Sequence, residues 1–138
     1  GDVKAACRGL EYDADEDFSG RWNPVGGTGW EHQVKQDVTL DFVGVELQGD
    51  DPEALADLWA RCTNLPLEHD AADSPTIGFN NVVLRFVPAA DGRGPGLGGL
   101  DIAVADREHI LREAKARKAY VSDDQVNICG TRWYLKDA

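Results

Sequence analysis

Glu46 and Asp101 are the two residues whose type and placement best suit chemistry, because they are carboxylates at matched positions of a repeated pattern. Enclosed together in one cup, such a pair acts as general acid and base, or holds a cation or an amine. On an open face both are simply solvated, the blander and commoner outcome. Arg85, inside an otherwise apolar run, suits either an anionic ligand or a helix carboxylate. The histidines His32, His69 and His109 are not spaced as ligands. His69 lies between Glu68 and Asp70 and is the one a loose metal site would use, although a surface histidine among acids is commoner. No Ser/His/Asp order and no paired cysteines mark a nucleophile, and Cys62 reads as a small core hydrophobe.

Two further stretches imitate functional motifs and fail their context. DADED, Asp13 to Asp17, has the alternating carboxylates of a calcium loop but lacks the helical flanks, central glycine and closing glutamate, so it reads as a solvated acidic turn. SGRWNPVGGTGW, Ser19 to Trp30, is glycine-rich, yet no Lys-Ser/Thr follows and no strand feeds a helix. It is a connector, with Trp22 and Trp30 as its anchors.

The elements that must position the carboxylates follow from periodicity. In VGVELQ, Val43, Val45 and Leu47 point one way and Gly44, Glu46 and Gln48 the other. Asp51 then caps a helix, Pro52 sits where its missing N–H is harmless, and Glu53 suits the positive end of the dipole. Leu55, Leu58, Trp59 and Cys62 form a stripe able to lie on the Val45 face. A shift of 55 residues carries Asp51 onto Asp106, Gly44 onto Gly99 and Glu46 onto Asp101. The copy has Leu100, Ile102 and Val104 on one strand face and Ile110, Leu111 and Ala114 on its helix. Between the copies, Asn80-Asn81 marks a hairpin and Ala89 to Gly98 a flexible crossover; after the second helix come a short strand at Tyr120-Val121 and a tight turn at Gly130. The expected architecture is α+β: two βαβββ repeats, residues 39–88 and 98–137, make a cupped mixed sheet with helices on its outer face. Residues 1–38 supply an N-terminal strand and the connector.

A chain of 138 residues supports one core, and its net charge of −11 argues against nucleic acid or an anionic membrane as partner. An odd set of widely spaced cysteines, Cys7, Cys62 and Cys129, fits reduced thiols in a cytoplasm better than a disulfide framework. The strand expected near Ala5, Cys7 and Leu10 would be an unpaired edge, which points to a homodimer.

In their order, GVELQGDDPEALADLW, NNVVLRFVP, GLGGLDIAVADREHIL and GTRWYL resemble the vicinal oxygen chelate superfamily, the glyoxalase, bleomycin-resistance and extradiol dioxygenase group. DVKAACRGLEYD followed by WNPVGGTGW resembles the strand and linker joining the halves of longer members, which implies a C-terminal half. The resemblance implies a glyoxalase-like fold. It also implies metal ligands on the first and last strand of each repeat, which fall on Gly44 and Gly99 and near Leu84 and Trp133, none with a usable donor. The expectation is therefore a divergent domain with no metal, no cofactor and no catalytic residue. It would bind a small molecule in a cup walled by Phe42, Leu84, Phe86 and Trp133 around Glu46 and Asp101, or serve as the structural half of a larger protein. The alternative is a metal-dependent lyase, epimerase or dioxygenase whose ligands lie in a missing first half or a partner subunit.

Overall fold

The computed structural model describes residues 34–138, and Gln36–Ala138 is one compact unit. The N-terminal strand, the acidic turn, Trp22, Trp30 and His32 lie outside the described residues.

Strand β1 (Thr39–Gly49) leads into helix α1 (Pro52–Thr63), then β2 (Glu68–His69), β3 (Pro75–Gly78) and β4 (Val83–Pro88). The second half repeats the order with β5 (Gly96–Val104), α2 (Arg107–Ala116), β6 (Tyr120–Ser122), β7 (Gln125–Ile128) and β8 (Thr131–Asp137). All join one eight-stranded mixed sheet in the order β2-β3-β4-β1-β5-β8-β7-β6. The first strands of the two halves meet antiparallel at its centre, and each pairs parallel with the last strand of its own half.

Both helices start where the caps predict. Asp51 Oδ1 accepts from Ala54 N at 3.0 Å and Asp106 Oδ1 from His109 N at 2.9 Å. Helix α1 stops at Asn64, which takes the left-handed conformation (φ 55°) that asparagine tolerates. The last hairpin turns through Cys129 and Gly130, both at positive φ, so that Ile128 pairs directly with Thr131.

One face of the sheet carries the helices. In the first half Ala56, Ile77, Leu84 and Phe86 are buried there together, with Val45, Leu47, Leu55 and Ala60 packed against them. In the second half Ile102, Val104 and Leu135 play that part, with Ile110, Leu111 and Trp133 around them. Removing a side chain of this kind from water contributes about 1.5–3 kcal/mol.

The helix stripe differs from expectation. Ala56 is its buried centre, while Leu58, Trp59 and Cys62 are exposed. A small alanine at the contact lets the helix lie close to the sheet, which turns the bulkier neighbours outward; Trp59 still reaches the rim, with its ring 6.5 Å from that of Phe86.

Candidate functional site

The other face of the sheet is polar and closed. Glu46, 2% exposed, lies near the middle of the central strand pair. Its Oε2 accepts from Arg85 Nη1 at 2.5 Å; its Oε1 accepts from Arg132 Nε at 2.8 Å and from the Tyr134 hydroxyl at 3.1 Å. Arg85 also donates through Nη2 to Asp101 Oδ1 at 3.0 Å, and its guanidinium lies 4.9 Å from the centre of the Tyr134 ring. One guanidinium thus bridges the matched carboxylates of the two repeats. Neither carboxylate is solvated, Asp101 keeping only 14% of its side chain exposed.

Register explains the meeting. Glu46 stands opposite Arg85 across the parallel β1–β4 pair, and Asp101 opposite Tyr134 across β5–β8. Opposite residues on adjacent strands share a face, so the four side chains converge. Burial opposes the Arg85 charge, but Asp101 and then Glu46 outweigh it and hold the guanidinium above its ordinary pKa. For Arg132, burial again opposes the charge, and Glu46 restores and raises it. Burial first, and the Glu46 charge second, push the Tyr134 hydroxyl above the usual phenol value.

A second layer extends the network. Arg132 Nη2 donates to Gln48 Oε1 at 2.7 Å and its Nη1 to Asp91 Oδ2 at 2.9 Å. Gln48 Nε2 donates to Asp91 Oδ1 and to the Gly94 carbonyl, both at 2.8 Å. The crossover between the halves is therefore a strap fastened to the polar face. Asp91 also takes donors from its own neighbour, Arg93 N and Nε at 3.0 Å and Nη2 at 2.6 Å. These bonds, that of the Arg93 side chain foremost and Gln48 next, hold its carboxyl well below the usual range.

The expected apolar walls lie elsewhere. Leu84 and Phe86 are on the helix-bearing face, inside the core with Ala56, and Trp133 packs with the second core beside Ile102 and Leu135. A register irregularity between Phe42 and Gly44 breaks the alternation of β1, and Phe42, 52% exposed, sets its ring 6.0 Å from that of Trp133. Of the six expected ligand-face residues, the structure brings together only Glu46 and Asp101. The displacement is one of parity: Arg85 rather than Leu84, and Arg132 with Tyr134 rather than Trp133, point to the polar face. Arg85 pairs with strand carboxylates, not with one from a helix. Sequence reasoning missed Gln48, Asp91, Arg132 and Tyr134; the alternating Arg-Trp-Tyr of the closing strand was the available signal.

The remaining candidates are separate. His69 bonds Glu53 of α1 at 2.9 Å, which raises its pKa. His109 lines a groove of about 460 Å³ between α2 and β7 whose apolar wall includes Ile110, Ala114 and Val126. That groove belongs to the helix-bearing face.

Residues on the polar face do not fit a divalent ion. The carboxylates that face each other there are already spent on Arg85, and the described residues contain no group of three or more His, Cys, Asp or Glu able to hold a metal. Gly44 offers no donor, and the space above it is taken by the Asp101 carboxylate.

Comparison with known proteins places the fold. The chain aligns with methylmalonyl-CoA epimerase from Mycobacterium tuberculosis with a TM-score of 0.57 and 13% identity, over 77% of this chain and 93% of that one. A hypothetical protein from Bacillus halodurans aligns with a TM-score of 0.52 and 12% identity over 71% and 94%. The Streptomyces coelicolor methylmalonyl-CoA epimerase aligns with a TM-score of 0.52 and 9% identity over 72% and 95%. No family pattern matches the sequence, and no curated protein does. The fold is the glyoxalase-like fold that these structures share.

Proposed function

We propose that this is a divergent glyoxalase-like domain that works without a metal, binding a small molecule or serving as the structural half of a two-domain protein. The observation that carries the reading is the Arg85 guanidinium seated between Glu46 and Asp101, because a fixed organic cation there meets the charge that a metal would otherwise balance. Since the oxygens of Glu46 and one oxygen of Asp101 already accept hydrogen bonds from Arg85, Arg132 and Tyr134, they are engaged within the protein, and binding is favoured over acid-base chemistry. The test is elemental analysis of the purified chain beside Arg85→Met. The unaltered chain carries no stoichiometric transition metal, and the variant, with Asp101 uncompensated and Glu46 left to Arg132 and Tyr134, gains weak cation affinity. Stoichiometric zinc, iron or manganese in the unaltered chain would overturn the reading in favour of a metal-dependent lyase, epimerase or dioxygenase with ligands supplied from outside residues 34–138. Cytoplasmic residence is part of the same reading, supported by the odd cysteine count, and so is a homodimer; a monomeric mass by light scattering removes the dimer.

A further inference from the structure

We propose that Gln48 and Arg132 form a binding site for a small carboxylate, which Asp91 of the strap fills as an internal surrogate. The inference rests on the reading of the polar face as a metal-free binding face.

The sheet builds the site. Gln48 is 1% exposed, yet both hydrogens of its amide nitrogen go to the strap, to Asp91 Oδ1 and the Gly94 carbonyl, and none to the sheet. Arg132 is locked by Glu46 and the Gln48 carbonyl oxygen, which leaves Nη1 aimed at Asp91 Oδ2. Three donors on rigid strands thus converge on one carboxylate and one neighbouring carbonyl. A donor set fixed by other partners costs little to organise when a ligand arrives.

The strap can leave at small cost. Asp91, Gly92 and Arg93 are exposed, and Gly92 and Gly94 both sit at φ +77°, with open space where a Cβ would be. Arg93 supplies Asp91 with three donors from within the strap, so its carboxylate stays paired when it lets go. An incoming carboxylate then meets the Gln48 and Arg132 donors that a bare opening would leave buried and unsatisfied. The exchange swaps like for like: one carboxylate replaces another.

The experiment follows the backbone amides of Gly92 and Gly94, and the side-chain amide of Gln48, by NMR as sodium acetate replaces sodium chloride at constant ionic strength. In the unaltered chain all three move together and saturate. Asp91→Ala removes the competitor and tightens acetate binding on the order of tenfold or more, because the competent state no longer has to be won from the strap. Adding Arg132→Met abolishes that gain. If acetate moves none of these resonances in the unaltered chain, or if folded Asp91→Ala binds it no better, the strap is structural and the inference falls. Should Asp91→Ala not fold, the titration of the unaltered chain decides alone. Bound metal would refute the metal-free reading whatever acetate does, and an absent acetate response would leave that reading standing.

Discussion

The Asp101 carboxylate lies over the backbone of Gly44, on the neighbouring strand. A Cβ built on Gly44 would stand 2.5 Å from Asp101 Oδ2 and 2.9 Å from its Cβ. The missing side chain of the first repeat makes room for the acid of the second, and that acid, seated there, reaches Arg85.

Gly44→Ala therefore destabilises the domain. The clash involves the root of the Asp101 side chain as well as its tip, so rotation alone does not relieve it, and overpacking of this kind costs about 1–3 kcal/mol. Gly78→Ala is the control: nothing stands within 4 Å of its added methyl and its φ is ordinary, so it is neutral or more stable by up to about 1 kcal/mol. Urea unfolding midpoints measure both, and equal midpoints for the two variants would contradict the seating of Asp101.

Glu46→Ala removes the shared partner of two guanidinium groups, leaving Arg85 to Asp101 and Arg132 to Asp91 on a largely buried face. Leaving a buried charge wholly unpaired costs about 3–5 kcal/mol, and the carboxylate that each guanidinium keeps holds the loss below that ceiling. Glu46→Ala with Arg85→Ala should cost less than the two single changes together, by about 0.5–3 kcal/mol. Strict additivity in that cycle would mean that the bridge has no energetic reality.

The strap should loosen in acid. The Asp91 carboxyl is held below its ordinary value by Arg93 within the strap first and by Gln48 of the sheet next, so the part of the docking that Gln48 supplies is complete above the unfolded-state pKa and is lost as pH falls through the folded one. Below the ordinary carboxylate range, the Gly92 and Gly94 resonances should shift toward those of an open loop before the sheet unfolds. Asp91→Asn should abolish that early transition; its persistence would assign it to another carboxylate.

Asp51 and Asp106 each satisfy an orphan amide of the first helical turn. Replacing either by alanine costs about 1 kcal/mol. The sites are far apart in sequence and share no hydrogen-bond partner, so the two losses add within about 0.5 kcal/mol in denaturant unfolding.

What the sequence settled by itself was local. A cap depends on residues within one turn, a hairpin on two or three turn residues, and alternation on the next neighbour but one. The repeat, both helix starts, the Asn80-Asn81 turn and the matched placement of Glu46 and Asp101 were therefore legible, as was the order of elements that points to the fold. The α1 stripe was less so, because which face of a helix docks depends on how closely it approaches the sheet, and Ala56 decided that over Leu58.

Tertiary structure alone decided what the carboxylates hold. Glu46 and Arg85 are 39 residues apart, and Glu46 and Arg132 are 86 apart. Whether such residues meet is fixed by the register of strands distant in sequence, parallel β1–β4 for Arg85 and antiparallel β1–β5 followed by parallel β5–β8 for Arg132, which share no local signal. A slip of one residue would turn Leu84 to the polar face and Arg85 into the core, since alternate side chains point to opposite sides. The fastening of the crossover by Asp91 was hidden for the same reason: glycines make a loop free to go anywhere, and only the donors waiting on Gln48 and Arg132 determine where it rests.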